Sequence, residues 1–98
     1  MRRVLVLAAL ACALAAPTAT ARDEDGRGLF ASSCSACHGA NATGIGIFPR
    51  LAGQHAEYLQ RQLSLIQARL RDAHVMHGII KDMTSDEMKA VAAFAQSR

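Results

Sequence analysis

The sequence predicts a small all-α domain built from three main helices plus a short one. Three observations carry that expectation. Apolar residues recur at helical spacing in separate stretches, no stretch alternates as a half-buried strand does, and the whole chain has only 98 residues. A chain of this length holds one domain, which excludes a two-domain enzyme or a nucleotide-binding unit with its own substrate domain.

The first element is read as a removable export signal over residues 1–21. Arg2 and Arg3 form a basic start, residues 4–16 are an apolar run interrupted by Cys12, and Ala19, Thr20 and Ala21 supply small residues ahead of Arg22. Thirteen apolar residues fall short of the ~20 that cross a bilayer, so no stable membrane insertion is expected after cleavage. Cys12 sits inside the apolar run, with Ala9 where a lipidation signal usually has Leu. The expected working domain is 22–98, exported, with nine basic and eight acidic residues. So small a net charge, with no basic stripe interleaved with aromatics, removes the electrostatic case for a nucleic-acid partner.

A first helix is expected over residues 23–38. Leu29, Ser33 and Cys37 fall along one face with Phe30 and Cys34 beside them, and Asp23, Glu24 and Asp25 stand at its start. Gly39, Gly44, Gly46 and Gly53, with Pro49, then mark an irregular loop. From His55 the helical period returns, with Leu59, Leu63, Ile66 and Leu70 on one stripe and most charges off it. A break at residues 72–74 and a short segment over 75–82 lead to the last helix. There Thr84-Ser85-Asp86-Glu87 matches a capping box, so the helix starts at Ser85. Met88, Val91, Ala92 and Ala95 form its expected buried stripe, with Phe94 at the edge and Met83 as a hydrophobic staple against Met88.

The chemistry concentrates at Cys34-Ser35-Ala36-Cys37-His38. Three readings of the two cysteines compete: a redox pair, half of a zinc site, and a covalent haem site. A thioredoxin-like centre needs a preceding strand, and a structural zinc site needs four ligands, which only His74 and His77 are at hand to complete. The His that follows Cys37 makes this run the haem-attachment signature. Cys34 and Cys37, three apart on a turn of helix, reach two vinyl groups, while His38 turns its imidazole to the iron. A chain with three Phe, one Tyr and no Trp buries little apolar surface by itself, and covalent haem is a suitable staple for so small a core. The haem-free chain is therefore expected to be largely unfolded.

These residues also resemble a known family. Gly28 and Phe30 before the Cys34–His38 motif, Phe48-Pro49-Arg50-Leu51-Ala52-Gly53-Gln54-His55, Tyr58-Leu59, Gln62-Leu63, Met76 with Ile79, and the helix from Thr84 to Phe94 are similar to class I c-type cytochromes. The nearest subgroup is the small bacterial periplasmic monohaem proteins, whose fold also forms each half of certain dihaem cytochromes. The chain departs from that pattern at Ile66, where Phe is usual, and at Arg69, where Gly often ends the long helix. The resemblance implies the class I cytochrome c fold packed around one covalently bound haem c.

It also implies His38 and Met76 as axial ligands of the iron, with the Pro49 carbonyl receiving the other ring N–H of His38. Arg50, Gln54 and Tyr58 are implied as haem surroundings. The other candidate iron ligands downstream are Met83, Met88, His74 and His77. A His/Met pair suits an electron carrier of raised potential, because a thioether favours ferrous iron. The expected function is periplasmic electron transfer between redox partner proteins, with the iron cycling between Fe(II) and Fe(III) and no catalytic residues. Two other classes stay open: a cytochrome subunit of a larger dehydrogenase or oxidase, and a gas- or peroxide-reactive haem protein with an open sixth position.

Overall fold

The computed structural model describes residues 19–98, with side chains from residue 26 onward. The export-signal reading of residues 1–21 lies almost wholly outside the described residues. In chain order the helices are α1 (Ala19–Ser33), α2 (Ser35–His38), α3 (Ala56–Gln67), α4 (His74–Ile80) and α5 (Ser85–Gln96). No strand occurs among the described residues, and a lone bridge pairs Ile45 with Phe48 across a tight turn. The three main helices α1, α3 and α5 correspond to those expected; the short elements number two, because the first helix is interrupted.

That interruption falls at Cys34. Its N–H still donates to the Phe30 carbonyl at 2.8 Å, but its φ of −119° (ψ −34°) stretches the turn, and it becomes the cap residue of α2. The carbonyl of Cys34 then accepts from the N–H groups of Cys37 at 3.3 Å and His38 at 3.0 Å, starting a new turn. Ser35 Oγ donates to the Ala31 carbonyl at 2.5 Å, a side-chain bond of the kind that competes with the helical ladder. The result displaces the two cysteines from a continuous helix and sets them, with His38, on a separate short turn.

The frame is the crossing of α1 with α5, on which α3 also packs. Gly26 makes the crossing: a Cβ there would stand 2.1 Å from the Ala90 carbonyl oxygen, so only glycine lets α5 approach this closely. Further along the same contact the rings of Phe30 and Phe94 lie 4.9 Å apart and tilted by 42°. The guanidinium of Arg98 sits 4.6 Å from the Phe94 ring centre, adding a cation–π contact. Phe94 is thus a centre of the core, buried with Met88, Val91, Ala92 and Ala95, and not at the edge of the stripe. The stripe is wider than a strict four-residue reading because α5 meets both α1 and α3.

The expected start of the last helix is present atom for atom. Thr84 Oγ1 accepts from the Glu87 N–H at 3.1 Å, and the Glu87 carboxylate accepts from the Thr84 N–H at 3.0 Å. At the other end of α5, Gln96 Oε1 accepts from the Ala56 N–H at 2.9 Å, tying α5 to the first residue of α3.

The long helix ends earlier than the periodicity suggests. Leu59 and Ile66 are buried, but Leu70 is 78% exposed and belongs to no stripe. The Leu70 N–H donates to the Leu65 carbonyl at 2.9 Å and the Arg69 N–H to the Ile66 carbonyl at 3.0 Å, which is the pair of bonds that closes a Schellman motif. Arg69 holds the left-handed conformation, φ +61°, that this motif requires.

The helix crossing makes opposite predictions for two neighbouring glycines. Gly26→Ala is expected to lower stability by about 1–3 kcal/mol through overpacking. Gly28→Ala, where an added Cβ meets nothing within 4 Å, is expected to raise it by roughly 0.5–1 kcal/mol through helix propensity. Denaturant midpoints of the two variants against the parent check both signs.

Candidate functional site

Helix α2, the loop over residues 39–55, α3 and α4 surround one cleft of about 340 Å³. Its floor is apolar: Phe30, Leu59, Leu63, Ile66, Ile80, Val91, Ala92 and Ala95. Cys34, Cys37 and His38 line it together with Pro49, and Met76 and Met83 are contributed from the α4 region. The two cysteines are unbridged. Burial, with a smaller contribution from the neighbouring Cys37, pushes the Cys34 thiol up to about 11, so it is held protonated at neutral pH.

His38 is buried, and its Nδ1 lies 2.9 Å from the Pro49 carbonyl oxygen. A carbonyl only accepts, so Nδ1 is the donor of this bond, and in the neutral ring that tautomer puts the lone pair on Nε2. Nε2 makes no hydrogen bond, and no buried side-chain polar atom among the described residues lacks a partner. Nε2 therefore opens onto the cleft. A ring nitrogen facing an apolar cleft, with the other ring N–H already bonded to a carbonyl, is the arrangement a metal-bound imidazole needs.

The loop between α2 and α3 is built to deliver that carbonyl. The Gly44 N–H donates to the His38 carbonyl at 2.7 Å, and the Ala42 carbonyl accepts from both Leu51 at 2.8 Å and Ala52 at 2.9 Å. Ala42 is fully buried at the centre of this stitching, in a left-handed conformation with φ +57°. Gly44 has no room for a side chain: a Cβ would lie 2.9 Å from the Arg50 amide nitrogen and the Phe48 carbonyl oxygen. The Ile45–Phe48 turn that follows brings the Phe48 ring to 6.4 Å from the His38 ring, edge-on.

Of the other residues singled out from sequence, Gln54 and Tyr58 line the cleft. Arg50 does not; its Nε donates to the Ala52 carbonyl at 3.3 Å, bracing the loop. Met88 is core, as its position on α5 suggests. His74 and His77 do not line the cleft that Met76 faces; they line an adjoining hollow with Arg69 and Asp72, which shares Ile66, Arg71 and Ala73 with the cleft. Two residues escape sequence reasoning. Gln62 and Arg71 both line the cleft, joined by a 2.6 Å bond from Arg71 Nη1 to Gln62 Oε1. Arg71 is the one Arg or Lys side chain on that lining among the described residues. Gln62 lies one helical turn beyond Tyr58 and was findable by period. Arg71 carries no such signal, because its approach depends on the Schellman turn that folds it back over α3.

The arrangement fits haem c. A flat apolar body would suit the floor, the two thiols would suit thioether formation, and Arg71 would offset part of the negative charge of the propionates. The site also rests on a family match, for residues 24–98 fit the family model described as Cytochrome c. Cytochrome c-552 of Acidithiobacillus ferridurans is 42% identical over 65 residues, covering 66% of this chain and 28% of that protein. A thiosulfate dehydrogenase electron acceptor of Stutzerimonas stutzeri (strain A1501) is 39% identical over 72 residues, covering 71% of this chain and 33% of that one. Among solved structures, cytochrome c4 of Acidithiobacillus ferrooxidans superposes with a TM-score of 0.76 at 32% identity, covering 84% of this chain and 55% of the other. The chain thus spans between about a quarter and little more than half of the length of these three proteins.

The turn that places Arg71 makes a prediction of its own. Arg69→Gly relieves a left-handed arginine without touching the cleft and is expected to stabilise the fold by roughly 0.5–1 kcal/mol. A rise in the denaturant midpoint with an unchanged haem spectrum is the expected observation.

Proposed function

The chain belongs to the cytochrome c family, and on that premise we propose that it is a periplasmic electron carrier with His38 and Met76 as axial ligands of one haem c. Cys34 and Cys37 are its two thioether attachments. The group supplies one-electron chemistry, its iron alternating between Fe(II) and Fe(III). The observation that carries the reading is the 2.9 Å contact between His38 Nδ1 and the Pro49 carbonyl, which leaves Nε2 directed at the cleft that Met76 lines.

The remaining work belongs to the polypeptide. The Pro49 carbonyl keeps the His38 ring in one tautomer and orientation, and so raises the basicity of Nε2. The core side chains of α1, α3 and α5 exclude water and lower the dielectric around the iron, while Met76 adds a soft ligand; both favour the reduced state. Arg71, held by Gln62, neutralises part of the propionate charge. Gln54 and Tyr58 border the same cleft. With two axial ligands from the chain, no position is left for a substrate, which separates this reading from a gas- or peroxide-reactive protein.

Tyr58, Phe48 and Ile79 are all partly exposed at the cleft. Such a border suits a brief encounter with a redox protein, whose interfaces are small. Among the described residues no helix is long and apolar enough to cross a membrane. The basic and apolar pattern of residues 1–21 supports export. A second reading has a specific observation behind it: two relatives are named thiosulfate dehydrogenase electron acceptors, which supports a dehydrogenase as a candidate donor.

The test separates the two methionines that line the cleft. Met76→Ala is expected to abolish the weak near-red sulfur-to-iron band of the ferric protein and to open the ferrous protein to carbon monoxide at neutral pH. Met83→Leu is expected to leave both as in the parent. The reverse outcome transfers the axial role to Met83.

A further inference from the structure

The segment that carries Met76 is thinly held. Helix α4 has seven residues, well under the ~12–15 that stand alone in water. Its main packing partner is α3. Only Ile80 is buried on it, whereas Val75 is 69% and Ile79 47% exposed. Val75, Met76, Ile79 and Ile80 face the cleft, so apolar contact with the rest of the chain does little to fix this segment on α3.

A polar clasp stands in its place. Gln67, the last residue of α3, directs its Nε2 at three main-chain carbonyls: Met83 at 2.8 Å, Ile80 at 3.1 Å and Lys81 at 3.4 Å. These carbonyls lie at and just after the C-terminal end of α4, where helix carbonyls lack intrahelical donors and the dipole is negative. The Met83 N–H, bonded to the Ile80 carbonyl at 2.9 Å, folds the turn that gathers them. Each bond closes a loop of 13 to 16 residues that contains Met76. The contact is part-buried, so an opened segment leaves acceptors and amide to be satisfied by water at a cost.

We propose that Gln67 is a positioning residue that, by binding the carbonyls of Ile80, Lys81 and Met83, holds Met76 against the iron. The proposal rests on the reading of Met76 as axial ligand. Gln67 touches neither the ligand nor the iron and acts through the segment, setting the fraction of molecules in which the sixth position is open.

The experiment measures carbon monoxide affinity of the reduced, haem-loaded protein at neutral pH, because apparent affinity follows the open fraction. Gln67→Met keeps the length of the side chain and removes its donors. It is expected to raise the affinity about ten-fold, which corresponds to about 1.4 kcal/mol of lost closure, and to lower the midpoint potential. Gln67→Lys restores a donor, at the negative end of a helix, and is expected to return both values toward the parent. Should Gln67→Met fail to take up haem, Gln67→Asn, which keeps the amide one methylene short of the carbonyls, is measured in its place with the same expected gain. Equal affinity in the donor-lacking variant and the parent overturns the proposal, as does a lysine variant as open as the methionine one. Met76→Ala serves as the fully open reference. If it binds carbon monoxide no better than the parent, the axial reading itself fails; if it does and the Gln67 variants do not, only the clasp fails.

Discussion

The hydrogen bond from His38 Nδ1 to the Pro49 carbonyl is the constraint on which the rest of the site depends. It settles the tautomer, points Nε2 at the cleft and joins the cysteine-bearing turn to the loop that follows. That loop reaches the required position only because Ala42 and Gly44 adopt left-handed conformations and because the Ala42 carbonyl gathers two N–H groups from the far side of the loop. Ala42 is buried at the centre of this hydrogen-bonded loop, so in the folded chain the carbonyl that orients the imidazole is held in place.

The molecule divides into a firm side and a light one. On the firm side α1, α3 and α5 share a core, closed at Gly26 and tied at Gln96, and present an apolar floor. On the light side α4 contributes Met76 from a helix with one buried residue. What joins this segment to α3 is the Gln67 amide, set against the carbonyls of Ile80, Lys81 and Met83. In the proposed reading the firm side sets the dielectric around the iron and the light side sets how firmly Met76 is held.

Much of this was legible in the residues. The attachment motif is local, and its five residues carry their chemistry wherever they are placed. The capping box of α5 is local too, and it appears with both of its bonds. The stripes of α3 and α5 were readable until tertiary contacts intervened. Leu70 matched the period, but the Schellman turn takes it to solvent; Phe94 looked marginal, but α1 and α3 converge on it. The break at Cys34 was hidden because the apolar spacing runs through it unchanged. Arg71 and Gln67 were not legible, since each acts across a fold-dependent approach on partners 9 to 16 residues away. Arg50, prominent in the motif, turned to a neighbouring carbonyl instead.

The central claim is that this polypeptide carries a porphyrin bonded through the sulfurs of Cys34 and Cys37. Intact mass spectrometry under denaturing conditions, on protein matured in a host able to attach haem, tests it most directly. A mass greater than that of the polypeptide by one haem, retained after acid and organic extraction, is the predicted result. A mass equal to that of the polypeptide alone contradicts the account.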